Sequence, residues 1–166
     1  VIDSVSLLPF EKFHLEPLTR WLATPAVARW YPQPNENLEW AAQPPPGGSQ
    51  AIIAKGTHEL GYVRWQRVDR ETLDSLGLQE IPSNAVGIDI DILIGEEAHL
   101  HKGMGTTALQ LLVDQLRGEG DVPQAGLSPE PDNAAAIRSY EKVGFRFRRE
   151  YQVAGHTYSL MTLDLP

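Results

Sequence analysis

The apolar residues change period along the chain, and each change marks an element. Residues 5–10 form a short apolar run, a strand signal, and from residue 14 onward Leu15, Leu18, Trp21 and Leu22 recur at helical spacing. Pro32 and Pro34 break that helix. Leu38 and Trp40 predict a second short helix, which must end before Pro44-Pro45-Pro46-Gly47-Gly48, a stiff and then flexible connector too short to link domains. Residues 51–54 and 61–68 flank Gly56-Thr57-His58-Glu59 and predict an antiparallel hairpin.

Residues 69–85 carry no period and contain Gly77 and Pro82, which predicts a long excursion with about one helical turn, of a length that is often functional, a lid being one option. Residues 86–94 predict a strand: Ile88, Ile90 and Ile92 share one face and Asp89 and Asp91 the other, until Leu93 restores apolarity. Leu109, Leu112, Val113 and Leu116 predict a helix over 103–117 that ends near Gly118 and Gly120. A weaker strand follows over 122–128, then a helix over 132–143 with Asp132 or Asn133 as its N-cap and Gly144 just past its end. Residues 145–153 and 158–165 predict a closing hairpin. The order is α/β (α+β) with much antiparallel pairing, without internal repeats or low-complexity tracts.

A chain of 166 residues, 42% of them hydrophobic, suits one domain spanning 1–166. Lys plus Arg is 14 and Asp plus Glu is 22, a net charge of -8, which disfavours nucleic-acid phosphate and anionic membranes and favours a cationic partner. With no cysteine, disulfide scaffolds, thiolate metal sites and cysteine nucleophiles are excluded. No apolar run approaches the ~18 residues of a membrane span, and Val1, Ile2 and Asp3 lack the features of a signal peptide, so a cytoplasmic protein is expected. Both a monomer and a homodimer fit.

Strand, Lys102-Gly103-Met104-Gly105-Thr106 and helix is an arrangement in which unpaired amides and the helix dipole face an anion. A tight turn with a permissive backbone has the same pattern. It is not a P-loop, because the Gly-Lys-Ser/Thr ending is absent, nor a dinucleotide fingerprint, because the third glycine would fall at Ala108.

Further on, Asn133-Ala134-Ala135-Ala136-Ile137-Arg138-Ser139-Tyr140-Glu141-Lys142-Val143-Gly144-Phe145 resembles the GCN5-related N-acetyltransferase (GNAT) superfamily, whose motif N-x-x-A-x-x-x-Y-E-K-x-G-F it matches at each defining position. The likeness covers about residues 86–145. It implies a GNAT fold: a central mixed, mostly antiparallel sheet with splayed fourth and fifth strands, flanked by helices. It implies acetyl-CoA (coenzyme A) as cofactor, with the diphosphate at His101, Lys102, Gly103, Met104, Gly105 and Thr106. Pantetheine would pair with Ile92, Leu93 and Ile94, Asn133 and Ala136 would belong to the cofactor site, and Tyr140 would hydrogen-bond the sulfur.

Within the superfamily the sequence is most similar to aminoglycoside 6'-N-acetyltransferases. They share an aspartate 12 residues before the first motif glycine, here Asp91, and a Pro-x-Pro-x-Asn lead-in, here Pro129-Glu130-Pro131-Asp132-Asn133. Trp30-Tyr31 resembles their tandem aromatic pair. The chain departs from them at Leu100, usually Arg or Gln, at His101, usually Gly, and at Ser128, often Asp. The resemblance implies a small-molecule primary amine as acceptor, with antibiotic resistance as the setting.

Asp91 also has a case of its own. Alternate strand residues share a face, so Asp89 and Asp91 would project ~7 Å apart from an apolar element, which favours a cation or water there. Direct proton abstraction from an ammonium by an ordinary aspartate is uphill by about 6.5 pKa units, ~9 kcal/mol. Repulsion between the two carboxylates at ~7 Å and ε ~20 offsets only ~2.4 kcal/mol. Asp91 is therefore expected to bind and orient the ammonium and to take its proton through water, with Asp89 in support.

For Tyr140, a thiolate with a conjugate-acid pKa of ~8.5 needs little help to leave, so a phenol hydrogen bond and full proton transfer are both open. Trp30, Tyr31, Tyr62 and Trp65 are candidates for the acceptor pocket, although aromatics are core residues more often than ligand-binding ones. A metal at Asp89, Asp91, His99 and His101 is disfavoured, and none is expected. Arg146, Arg148 and Arg149 read as a solvated basic run with coenzyme 3'-phosphate contact as an option. The competing functions are acetylation of a polyamine, a siderophore hydroxylamine or a peptide amine, and a catalytically silent acyl-CoA-binding domain.

Overall fold

The computed structural model describes residues 4–166, within which the chain forms seven strands and six α-helices. Val1, Ile2 and Asp3, and with them the expectation about a leader, lie outside the described residues. The chain divides into two compact units: residues up to Arg64 with Ile92–Ala108, and Trp65–Asp91 with Leu109–Pro166.

The first unit holds β1 (Val5–Pro9), α1 (Leu15–Leu22), α2 (Pro25–Ala28), α3 (Pro34–Ala42), β2 (Gly48–Lys55) and most of β3 (His58–Gln66) and β4 (Asp91–Ile94). The strands are ordered β1-β2-β3-β4, with β1 antiparallel to β2 and Leu7 opposite Ile53. The helical spacing read from the sequence brings Leu18, Trp21 and Leu22 of α1 into one core cluster with Val27, Ala41, Ile52, Tyr62 and Leu93. Two glycines are demanded by this packing. A Cβ at Gly61 would lie 2.1 Å from the Leu93 carbonyl oxygen, and one at Gly95 would lie 2.0 Å from Cγ of Trp21. Next to Gly95, Glu96 accepts from Trp21 Nε1 and Arg20 Nη1, both at 2.8 Å, so the chain leaving β4 is tied to α1.

The second unit holds α4 (Arg70–Ser75), β5 (Gln124–Leu127), α6 (Ala134–Val143), β6 (Arg146–Val153), β7 (His156–Asp164) and the greater part of α5 (Met104–Glu119). Its sheet is ordered β5-β7-β6, all antiparallel. β4 and β5 are thus end strands, each in the sheet of its own unit. Leu109, Leu112, Val113 and Leu116 of α5 are all buried, as their spacing predicts. The closing hairpin turns through Ala154 and Gly155, both with positive φ, a two-residue turn whose twist suits paired strands. That turn sets Tyr151 opposite Tyr158.

Two expectations need correction. The strand predicted over 86–94 is only Asp91–Ile94; Val86 makes isolated bridges to Arg67 and Ala125, and residues 87–90 leave the ladder. The Gly87 N–H still donates a short bond to the Gln66 carbonyl, where a Cβ would lie 2.6 Å from that oxygen, and two residues on Asp89 meets Gln66 through its side chain. The alternation of faces survives the break, with Ile88 and Ile90 buried and Asp89 exposed. Residues 69–85 form no open lid: Leu73, Leu78, Ile81 and Ala85 cluster with Val68, Ile88, Tyr151 and Leu160. Asp69 caps α4 by accepting from the Thr72 amide at 2.8 Å.

Candidate active site

After β4 and a single 3-10 turn (Glu97–His99), the backbone swings through positive φ at His101 (58°) and Gly103 (79°) and enters α5. His101, Lys102 and Gly103 are exposed, and Met104, Gly105 and Thr106 are half-buried. The Thr107 amide and hydroxyl both donate to the Gly103 carbonyl at 3.0 Å, which closes the first turn. The earliest amides of the helix are the ones without helical acceptors, and the dipole adds positive potential at that end.

The two motif glycines differ in cause. Gly103 is required by its φ. Among the described residues nothing requires Gly105: its φ is ordinary, and an added Cβ would meet only Ile94 Cγ1, at 3.8 Å, an ordinary contact. A glycine in the first helical turn costs up to ~1 kcal/mol relative to alanine. A partner that must approach the backbone there accounts for it, so the turn suits a phosphate-bearing ligand. A cavity of about 240 Å³, lined by Thr24, Pro25, Ala26, Val27, Gly95, Glu97 and Leu100, adjoins the segment that leads to this turn.

Ile92 and Ile94 of β4 are half-buried, and Leu93 points into the core. The Ile92 carbonyl accepts from the Tyr31 hydroxyl at 3.0 Å. Tyr31, expected in the acceptor pocket, is thus joined to the strand to which the resemblance assigns pantetheine. Tyr62 is buried, 4% exposed, and donates to Gln50 Oε1 at 2.7 Å within the core. Trp30 is half-buried with the Arg29 guanidinium 4.6 Å over its ring, so a cation already covers that face.

In the second unit, Asn133 is the N-cap of α6, its Oδ1 accepting from the Ala136 amide at 3.3 Å. The helix ends with Gly144 at φ 120°, where the Gly144 amide reaches the Glu141 carbonyl at 3.0 Å and the Phe145 amide reaches the Tyr140 carbonyl at 3.1 Å. Phe145 is fully buried. The two ends of the helix, set by the motif's Asn and Gly-Phe, thereby fix Tyr140 in its last turn. Tyr140 keeps part of its surface accessible, but its hydroxyl lies deep among protein atoms; burial pushes its pKa well above the usual value, and the charge of Asp91 pushes it further. Tyr140 and Asp91 therefore stand within electrostatic reach of each other.

Asp89, off the strand, accepts from Gln66 Nε2 at 2.7 Å, so regular strand spacing does not set its distance from Asp91. Sequence reasoning missed what surrounds this pair of aspartates. The pKa of Tyr158 is raised by burial and then by the charges of Glu130, Asp91 and Asp89. Burial pushes Tyr151 up to about 12, opposed by its hydrogen bond to Ser128 (2.6 Å) and assisted by Asp89. The signal was present in the Ala154-Gly155 turn, which dictates that Tyr151 and Tyr158 pair. Arg149 is no solvated cation, since it meets Glu80 at 2.7 Å and donates a short bond to the Gly77 carbonyl, whereas Arg146 and Arg148 are exposed. Among the described residues no group of three or more His, Asp or Glu could hold a metal ion, and no helix is long and apolar enough to cross a membrane.

In the first unit the helix entrance after β4 suits an anionic ligand, and in the second a tyrosine lies within electrostatic reach of a carboxylate. The chain belongs to the GNAT acetyltransferases: the family model for an acetyltransferase (GNAT) domain matches residues 5–146. Among curated proteins it is 41% identical over 56 residues to aminoglycoside N(6')-acetyltransferase type 1 of Klebsiella pneumoniae, covering 34% of this chain but 28% of that protein. It is 39% identical over 56 residues to a kanamycin resistance protein of Rhizobium radiobacter, covering 52% of that one. Among solved structures, aminoglycoside acetyltransferase AAC(6')-Ib in complex with coenzyme A superposes with a TM-score of 0.81 at 23% identity, over 97% of this chain and 95% of that one. The aminoglycoside N(6')-acetyltransferase of Legionella pneumophila gives 0.77 at 18%, over 98% and 94%. At these identities the superpositions establish a shared fold.

Proposed function

We propose that the chain is an acetyl-CoA-dependent N-acetyltransferase of a primary amine on a small, polar, cationic acceptor such as an aminoglycoside. The observation that carries this is that Tyr140, held by the caps of α6, lies within electrostatic reach of Asp91 inside a matched GNAT segment. The family's cofactor supplies an activated acetyl thioester. The amides at 101–106 would hold its diphosphate, and the β4 backbone at Ile92–Ile94 its amide arm.

Asp91 binds the acceptor's ammonium and takes its proton through water. The neutral nitrogen then forms the C–N bond as the C–S bond breaks. Tyr140 donates a hydrogen bond to the departing sulfur and keeps its proton. An ordinary phenol is already ~1.5 pKa units weaker as an acid than a thiol, about 2 kcal/mol, and both burial and Asp91 widen that gap. The charge of -8, with Asp89 and Glu130 near Asp91's surroundings, supports a cationic acceptor. The whole chain 1–166 would act as one enzyme domain.

Steady-state thiol release with kanamycin-type, polyamine and lysine-type acceptors tests the reading. Turnover is expected with the first class at least, falling about a hundredfold or more in Asp91→Asn. Coenzyme binding without turnover on any amine would leave a silent acyl-CoA-binding domain. Turnover unchanged in Asp91→Asn would remove that carboxylate from the mechanism.

A further inference from the structure

β4 ends the strand order β1-β2-β3-β4, so among the described residues no strand pairs with its outer edge. An edge carbonyl that is to receive a ligand must be held in a defined direction, or the ligand bears the cost of ordering it. Here the Ile92 carbonyl is engaged by Tyr31 Oη at 3.0 Å. Tyr31 is itself well held: its amide donates to the Val27 carbonyl at 3.1 Å, and its ring packs on the cluster that contains Trp21, Val27 and Leu93. A phenol has only two rotatable side-chain torsions, so a packed ring delivers its hydroxyl to one place. The Ile92 carbonyl shares its peptide plane with the Leu93 amide, and Ile92 directly follows Asp91.

We propose that Tyr31 is a positioning residue for the transfer reaction: by bonding the Ile92 carbonyl it orients the outer edge of β4 for the amide arm of the thioester. It does so instead of forming a wall of the acceptor pocket. The assignment rests on the acetyl-CoA reading above. A structural contact alone would lower thermal stability without separating the two substrates, whereas an acceptor-pocket residue would act on the amine. Positioning β4 acts on the coenzyme.

Tyr31→Phe keeps the ring and removes only the hydroxyl. Calorimetry with coenzyme A is expected to give a Kd raised about 5–10-fold, the scale of one polar interaction. KM for acetyl-CoA is expected to rise by a similar factor with KM for the amine unchanged. Amide hydrogen exchange of the free variant should show Leu93 exchanging faster, with Tm within a few degrees of the parent. Unchanged coenzyme affinity, tighter binding, or a rise confined to the amine's KM would each overturn the assignment while leaving the enzyme reading intact. A parent protein that takes up no coenzyme would overturn both.

Discussion

Gly105→Ala separates folding from function, because the two should move in opposite directions. A Cβ at 105 would meet Ile94 Cγ1 at 3.8 Å and no other neighbouring group within 4 Å, so the methyl fits the empty site without a clash. Alanine is favoured over glycine by up to ~1 kcal/mol in a helix interior and by somewhat less in the first turn. For a chain of this size that raises Tm by about 1–4 °C. The same methyl stands where a phosphate would approach the amides, and losing one charge-assisted hydrogen bond of ~1.5–3 kcal/mol weakens coenzyme binding about ten- to hundredfold. Thermal unfolding monitored by circular dichroism and calorimetric titration with coenzyme A read the two effects separately. A more stable variant with parental affinity would show that nothing approaches Gly105, and the argument for the diphosphate site would fail. A drop in Tm of several degrees would show an internal packing demand that the structure does not contain.

The remaining predictions are briefer. Gly95→Ala forces a methyl onto the buried Trp21 ring, 2.0 Å from Cγ, and should cost about 2–3 kcal/mol in urea unfolding; a loss under ~0.5 kcal/mol would contradict the packing. Asn133→Ala removes the cap of α6 and should lower stability by ~1 kcal/mol, with Asn133→Asp close to the parent, as thermal melts would report. Tyr151 ionises at about 12 when folded and at ~10 when unfolded, so the neutral phenol is the form that folding favours. Its contribution is complete below pH ~10 and is lost between ~10 and ~12, on the order of 2–3 kcal/mol. Tyr151→Phe should flatten the stability profile over that window, and equal losses in both proteins at pH 9 and 11.5 would refute the shift.

Much of this was legible in residue order because local rules and tertiary packing agree. The helices at 15–22 and 104–119 follow their apolar spacing, and the Asn133 and Gly144 caps lie where the 132–143 pattern ends. The predicted strand over 86–94 is longer than the observed one because alternation reports which face a residue takes, not whether its backbone stays paired; residues 87–90 keep the first and lose the second. The cluster formed by Leu73, Leu78 and Ile81 was hidden because irregular backbone has no period to read. Tyr62 and Tyr31 show the limit of composition at a site. Both are aromatics near the expected chemistry, but one is embedded in the core and the other bonds to main chain, distinctions that only a third dimension supplies.

Arg70 divides its donors in an unusual way: Nε to Asp74 at 2.9 Å, Nη1 to the Ile81 carbonyl at 2.7 Å and Nη2 to the Leu78 carbonyl at 3.0 Å. One guanidinium therefore staples the ends of a segment whose apolar residues already face inward. A loop knotted on itself in this manner keeps its shape when its outward residues vary. Glu71, Gln79, Ser83 and Asn84, all exposed, are positions at which evolution or an engineer could rewrite surface charge while the main chain beneath stays put.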